Sequence, residues 1–221
     1  MESRAYTHAI SNCSAMIIEE VPMYTNPRKT SSIRRLGRVD ISDFKAAVLA
    51  IPEETWNHQN ANKPNRFDAL DATRHIPFRF VNNFRDWRGH YGCELWEEWK
   101  PLLEPIFAAA TADYGYTNGE FPRAMLARMP VGGVVQPHRD ANPAARWPHK
   151  IHVPIQTNDK VFFYVDGVEY QMEEGEAVEL NNMGVHSVEN RGDCDRIHLI
   201  FEYFDADQPD PDWVLPFRET A

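Results

Sequence analysis

The sequence contains few cysteines, and their scarcity excludes a disulfide-stabilised scaffold. Three of the 221 residues are cysteine, and Cys13, Cys93 and Cys194 are far apart and odd in number. Small secreted scaffolds carry even sets of cysteines, and zinc knuckles need paired motifs such as Cys-x-x-Cys, which this sequence lacks. A reducing compartment fits best, so we expect a cytoplasmic protein.

Long hydrophobic runs and a targeting pattern are also missing. No apolar run approaches the ~20 residues that a membrane-spanning helix needs. Residues 1–21 lack the basic stretch and apolar core of a secretory signal. We therefore expect neither a membrane partner nor a signal peptide.

An excess of positive charge is absent as well. The 23 basic residues are outnumbered by 33 acidic residues, giving a net charge of -10, which argues against a nucleic-acid partner held by bulk electrostatics. Hydrophobic residues make up 43% and charged residues 25%, which is ordinary globular usage. The length fits a single domain spanning residues 1–221.

The first half of the chain shows a helical pattern that begins at Asp40. Asp40 or Ser42 is the candidate N-cap, and Pro52 is expected to stop the helix. Residues 54–75 are polar and rich in asparagine, which predicts a loop.

A strand and a longer helix follow this loop. Residues 75–84 alternate as a strand does, and residues 93–113 place their large apolar side chains near one helical face. Pro101 and Pro105 are expected to split or kink that helix. Region 1–122 is therefore predicted to be helical or irregular support.

From residue 123 onward, short apolar runs alternate with turn signals, and an Asp166-Gly167 pair favours a hairpin. This pattern predicts a mainly β fold, a jelly-roll or cupin-like barrel (a double-stranded β-helix), with the N-terminal helices packed outside. The core is expected over residues 123–205, and residues 206–221 are expected to lie over the barrel, anchored by Trp213 and Phe217. The predicted strands are 123–131, 134–138, 150–156, 161–165, 168–172, 176–180, 185–190 and 197–204.

Three candidate metal ligands belong to the predicted core. His138 and Asp140 lie in the stretch VQPHRDANP, and in an extended segment residues two apart point to the same side. His186 begins a later predicted strand, VHSVEN. Two imidazoles and one carboxylate on one face leave coordination positions open, which suits non-haem Fe(II).

A basic residue follows the third ligand. Arg196 lies ten residues after His186, and an arginine facing the barrel interior is costly unless it is paired. A dicarboxylate co-substrate would supply the partner through bidentate bonds. Lys150 and His152 share one face of the strand KIHVPIQTN and could reach the same acid.

The ordered segments GGVVQPHRD, HKIHVPIQTN, EEGEAVELNN and VHSVENRGDCDRIHL resemble the Fe(II)/2-oxoglutarate-dependent dioxygenases. Within that class, residues 123–205 are most similar to the aspartyl/asparaginyl β-hydroxylases and free proline hydroxylases. The resemblance implies that His138, Asp140 and His186 bind iron. It also implies that Arg196 and His152 bind 2-oxoglutarate, while Lys150 stands where arginine is common.

The resemblance further implies hydroxylation of an unactivated C–H bond with O2, release of succinate and CO2, and ascorbate as a reductant. Because Asp140 is present, hydroxylation rather than halogenation is expected. The expected substrate is an amino acid, a small molecule derived from one, or a peptidyl Asp, Asn or Pro residue. A substrate carboxylate would need an arginine, first Arg146, then Arg79 and Arg85, and region 1–122 is expected to help in choosing the substrate.

Simpler interpretations remain open for each residue taken singly. The His138–Asp140 pair alone is typical of a polar strand end, and His186 of a histidine bonded to a nearby carbonyl. Arg196 could pair with Asp193 or Asp195 at the surface.

The remaining candidates have structural alternatives too. His152 could be a satisfied core histidine, Lys150 could extend to the rim, and each substrate arginine could be a solvated charge. Two other function classes stay open: a cupin-like metal-binding protein or isomerase without 2-oxoglutarate, and a non-catalytic jelly-roll binding module. Arg196 has no obvious task in either.

Overall fold

A computed structural model describes residues 29–67, 70–140 and 142–208, and these residues are mainly in β-strands. The helices are few, and none in the described ranges is long and apolar enough to cross a membrane. They are α1 (Ser42–Leu49), α2 (Glu53–Asn62), α3 (Trp96–Thr111), followed by a 3-10 turn (Ala112–Tyr114), and α4 (Pro143–Arg146).

The strands form two antiparallel sheets, as expected for a double-stranded β-helix. They are β1 (Ile33–Arg38), β2 (Arg74–Val81), β3 (His90–Gly92), β4 (Gly119–Glu120), β5 (Ala124–Met129), β6 (Val134–His138), β7 (His149–Gln156), β8 (Val161–Val165), β9 (Val168–Tyr170), β10 (Glu176–Leu180), β11 (His186–Asn190) and β12 (Arg196–Asp205). The major sheet has the order β1-β10-β7-β12-β5-β2-β3, with β4 also paired to β12. The minor sheet has the order β6-β11-β8-β9. The fold class predicted from the sequence is confirmed.

The two central strands of the major sheet, β7 and β12, are buried along nearly their whole length. Their chemistry nevertheless alternates, because successive side chains point to opposite faces. Ile151, Val153 and Leu199 belong to the core that α1, α2 and α3 cover from outside. The residues that alternate with these along β7 and β12 direct polar side chains to the opposite face of the sheet. This face is turned toward the minor sheet, and the candidate site lies there.

A two-residue turn connects β8 to β9, as the sequence predicted. Val165 pairs with Val168, and Asp166 and Gly167 have φ values of 47° and 81°. Two consecutive residues with positive φ define the hairpin turn whose twist matches that of the strands.

The prediction of a loop over residues 54–75 was wrong in its first part, where α2 lies. Pro52 stops α1 and at the same time precedes α2, whose first turn contains Glu53 and Glu54. Acidic residues there interact favourably with the helix dipole. Trp56, which is 1% exposed, anchors α2 to the core and outweighs the low helix propensity of its asparagines.

Region 1–122 also supplies strands to the major sheet. β1 pairs with β10 at one edge of the major sheet, and β2 pairs with β5 toward the other edge. The helix α3 is continuous through Pro101 and Pro105, because its apolar face is buried on the sheet. Trp213 and Phe217 lie outside the described residues.

Candidate metal centre and co-substrate site

Two strands of the minor sheet bring the three predicted ligands together. His186 on β11 lies directly opposite His138 on β6, and their ring centroids are 4.3 Å apart. Asp140 follows the end of β6, where its backbone N–H donates to Asn182 O at 2.9 Å. One ligand atom from each of the three residues lies within 4.8 Å of the others.

Both histidines direct the same ring nitrogen to the shared space. His138 Nδ1 lies 2.8 Å from Gln136 O, and His186 Nδ1 lies 3.1 Å from Gly184 O. A carbonyl only accepts, so each Nδ1 carries the proton and each Nε2 keeps a lone pair for a metal. Burial lowers the pKa of His186 to about 4, which keeps this imidazole neutral near pH 7.

The two oxygens of Asp140 have different tasks. Oδ2 accepts from the Lys150 ammonium and from Asn182 Nδ2 at 3.2 Å, while Oδ1 lies 3.9 Å from His138 Nε2. Burial alone would raise the pKa of Asp140, but Lys150 and the two histidines lower it well below its usual range. Asp140 is therefore a fixed carboxylate with one oxygen free for an ion.

This donor set fits Fe(II). Two neutral imidazoles and one monodentate carboxylate occupy one side of the site and leave the other side open for further ligands. The hydrogen bonds to Gln136, Gly184 and Lys150 hold all three ligands in place before any ion binds.

Asn182, which the sequence analysis did not single out, supports this centre from behind. Its side chain is fully buried, and Nδ2 donates to Ala145 O at 3.0 Å as well as to Asp140. Its Oδ1 accepts from Lys29, whose ammonium also donates to Pro148 O at 2.6 Å. The only sequence signal was its position just after β10, in the segment EEGEAVELNN.

We expect Asn182→Ala to weaken metal binding about 10- to 100-fold, since outer-shell groups that orient metal ligands typically have effects of this size. Titration calorimetry with Fe(II) under anaerobic conditions measures the change. Asn181→Ala is the matched control, because the Asn181 side chain contacts Ser31 and Met183 and not Asp140. Equal affinities in the two variants would contradict an orienting role for Asn182.

Arg196 is a buried cation without a carboxylate partner among the described residues. It is 2% exposed, its guanidinium carbon lies 4.9 Å from the Phe163 ring centroid, and its Nε makes no hydrogen bond. Asp195, a possible surface partner, lies near Arg128 instead, with Oδ2 3.8 Å from Arg128 Nε. Burial lowers the pKa of Arg196, so this charge destabilises the protein until an anion pairs with it.

Two histidines beside Arg196 also have unused polar atoms. His152 and His198 are buried, and neither nitrogen of either ring has a hydrogen-bond partner within residues 29–67, 70–140 and 142–208. The His198 ring stacks on Phe163 at 5.3 Å, and the His152 ring meets Phe163 edge-on at 5.8 Å. His198 was missed in the sequence, although its position two residues after Arg196 on β12 places it on the same face.

Arg196, His152 and His198 together form a buried polar group suited to a carboxylate. Burial lowers the pKa of His152 well below its usual value, and the charges of Arg196 and Lys150 and the ring of His186 lower it further. The interior of the fold therefore combines a metal triad with one buried cation and two neutral imidazoles, an arrangement that fits a metal-chelating dicarboxylate such as 2-oxoglutarate.

Lys150 and the three predicted substrate arginines lie in different places. Lys150 donates to Asp140, so the structure places it at the metal ligand. Arg146 ends α4, next to Ala145, which lines a cavity beside Asp140. Arg79 instead contacts His90 Nδ1 at 2.7 Å and stacks over Trp96, and Arg85 is exposed. Arg85 follows Phe84, which lines the same cavity, and none of the three arginines is itself in the lining.

Comparison with known proteins shows which family the site region is similar to. Residues 105–205 match the sequence model of the aspartyl/asparaginyl beta-hydroxylase family, a range that contains the triad, Lys150, His152 and Arg196. No curated protein matches the chain in sequence.

Solved structures share the fold at low sequence identity. AviO1 from Streptomyces viridochromogenes is 15% identical with a TM-score of 0.52, covering 81% of this chain and 92% of its own. HygX from Streptomyces hygroscopicus, solved with nickel and 2-oxoglutarate, is 11% identical with a TM-score of 0.51, covering 80% and 84%. The α-ketoglutarate-dependent epimerase SnoN is 12% identical with a TM-score of 0.51, covering 79% and 78%.

The family match and the geometry of the donor atoms agree. The matched range includes the triad, Arg196, His152 and His198, and the fold is similar to that of HygX, which was solved with nickel and 2-oxoglutarate. Residues 105–205 are therefore similar to the aspartyl/asparaginyl beta-hydroxylases, and the match and the site together support an oxidoreductase of the 2-oxoglutarate-dependent dioxygenase class.

Proposed function

We propose that the protein hydroxylates an unactivated C–H bond of an amino acid, a small molecule derived from one, or a peptidyl Asp, Asn or Pro residue. The observation that carries this proposal is the buried Arg196, which has no carboxylate partner among the described residues and lies in the same interior as the His138–Asp140–His186 triad. A metal site alone would not need such a cation, whereas a dicarboxylate co-substrate would neutralise it.

Each residue of the site has a task in this reaction. His138 and His186 would hold Fe(II) through Nε2, and Asp140 through Oδ1. Arg196 would bind the far carboxylate of 2-oxoglutarate with parallel N–H donors, and the neutral ring of His152 or His198 would add a further donor.

When bound, iron and 2-oxoglutarate supply the oxidising chemistry, with O2 consumed and succinate and CO2 released. The protein contributes orientation and exclusion of water. Lys150 and Asn182 keep Asp140 Oδ2 occupied, so that Asp140 Oδ1 stays directed at the metal. Arg146, and after it Arg79 and Arg85, remain our proposed partners for a substrate carboxylate, which would lie outside the cavity beside Asp140, because none of the three lines that cavity.

A succinate assay tests the proposal. Protein is incubated with Fe(II), ascorbate and 2-oxoglutarate under air, and we expect slow succinate formation even without substrate. Calorimetry on metal-loaded protein under anaerobic conditions is expected to show 2-oxoglutarate binding. Complete absence of that binding would contradict the dioxygenase function and favour a cupin-like metal protein, in which Arg196 has no task.

A further inference from the structure

One cavity connects the metal centre to a group of side chains that the proposed reaction does not yet use. It has a volume of about 100 Å³ and is lined by Asp140 and Lys150, which belong to the metal centre, and by His75, Asn65, Phe80 and Phe84. A substrate in this cavity would lie beside the metal ligand Asp140. The polar and apolar groups that line the cavity therefore indicate which chemical groups the substrate carries.

Each charged side chain that lines this cavity has a counter-ion within the lining. Lys150 pairs with Asp140, and Arg123 donates to both oxygens of Glu202 at 2.8 and 2.9 Å. The Arg123–Glu202 pair is buried on both sides. A substrate carboxylate or ammonium would have to displace one of these partners, which is costly for buried charges.

His75 lines the cavity and has one acceptor atom without a partner among the described residues. Thr73 Oγ1 donates its one proton to Leu70 O at 2.7 Å, so it must accept from His75 Nε2 at 3.0 Å. His75 Nε2 therefore carries the ring proton, and burial lowers the pKa of His75 to about 3, which keeps the ring neutral. His75 Nδ1 then has a lone pair, and it is buried without a hydrogen-bond partner among the described residues.

Asn65 offers a second acceptor in the same cavity. The residue is 5% exposed, and its Oδ1 is buried without a donor from the part of the chain that the structure describes, while its Nδ2 lies 4.0 Å from Met125 Sδ. Leaving two buried acceptors unpaired is unfavourable, so the pair indicates a ligand that brings hydrogen-bond donors.

Aromatic side chains line the rest of the cavity. Phe67 and Phe84 are 46% and 38% exposed, and their rings meet edge-on at 5.8 Å. Phe80 packs edge-on against Phe84 at 5.9 Å. Exposed phenylalanines at a cavity suit an apolar ligand body.

We propose that this cavity selects substrates carrying an uncharged hydrogen-bond donor, such as a carboxamide N–H or a hydroxyl, on an apolar body. His75 Nδ1 and Asn65 Oδ1 accept from the donor, and the phenylalanines cover the apolar body. This proposal rests on the proposed function, because it assigns the substrate of the same centre, and it makes His75 and Asn65 specificity residues.

Matched small probes test the selection on the unmodified protein. Hydrocinnamamide, its N,N-dimethyl derivative, hydrocinnamate and phenylpropylammonium share one apolar body and differ in the polar group. Their binding to protein loaded with Ni(II) and 2-oxoglutarate is measured by ligand-observed NMR. We expect hydrocinnamamide to bind about tenfold more tightly than the dimethyl derivative, which has no N–H. Equal binding of the two amides, or tighter binding of the carboxylate or ammonium, would overturn the proposal.

A histidine variant assigns the selection to His75. His75→Phe replaces the ring by an apolar one of similar shape and is expected to reduce the tenfold preference to about onefold. His58→Phe is the matched control, since His58 is largely exposed on α2 and is absent from the cavity lining. A preference that survives in His75→Phe would contradict the assignment.

Nitrogen NMR on the unmodified protein provides a readout that needs no variant. We expect His75 to show a protonated Nε2 and an unprotonated Nδ1 at neutral pH, with the Nδ1 signal shifting when hydrocinnamamide binds. A protonated Nδ1 would overturn the proposal. The two hypotheses fail separately: loss of 2-oxoglutarate binding contradicts the proposed function, whereas intact 2-oxoglutarate binding without probe selection contradicts only the substrate class.

Discussion

Asp140→Asn is expected to abolish hydroxylation and to weaken Fe(II) binding by more than about 100-fold, which exceeds the usual effect of losing an outer-shell group. The asparagine keeps the volume of the side chain but removes the negative charge, which Asp140 alone supplies to the triad because the two imidazoles are neutral. The Lys150 ammonium, which donates to Asp140 Oδ2 in the unmodified protein, also loses its carboxylate partner. The remaining His138 and His186 offer two neutral ligands only.

Two measurements check this expectation. Succinate and hydroxylated product are followed by mass spectrometry, and metal affinity is followed by the stabilisation that Fe(II) adds to the melting temperature. Asp159→Asn is the matched control, because Asp159 is exposed in the turn before β8. A variant at position 140 that still gains stability from Fe(II) as the unmodified protein does would remove Asp140 from the metal site.

The sequence was most informative where a local pattern determines the structure by itself. β8 and β10 have the predicted bounds, because alternating apolar residues between turn signals leave few alternatives. The triad was predictable for a similar reason, since His138 and Asp140 are two apart in an extended segment and His186 begins a strand.

The sequence was least informative where long-range packing decides. The helix α2 forms in an asparagine-rich stretch because Trp56 is buried under it, and no local pattern shows that burial. Asn182 acts on Asp140, which lies 42 residues away in the chain. The role of His75 depends on a ring tautomer that its hydrogen bond with Thr73 determines. Such roles depend on three-dimensional contacts, and residue type alone does not reveal them.

Arg196→Met is expected to raise the stability of the ligand-free protein and to lower its affinity for 2-oxoglutarate. Without ligand, the variant should be more stable, because methionine fills a similar volume and removes a buried charge that no carboxylate among the described residues neutralises. With 2-oxoglutarate, the variant should lose most of the affinity. Truncating one partner of a buried charge pair costs about 2–5 kcal/mol, which corresponds to roughly 30- to 5,000-fold in Kd.

Thermal unfolding of the metal-loaded protein with and without 2-oxoglutarate separates these effects. The unmodified protein should be stabilised strongly by the co-substrate, whereas Arg196→Met should start from a higher melting temperature and gain little. Arg191→Met is the matched control, since Arg191 is exposed and pairs with Glu189. A variant that is destabilised without ligand yet keeps its response to 2-oxoglutarate would show that Arg196 is structural, because a charge held ready for an anion must cost stability until the anion binds.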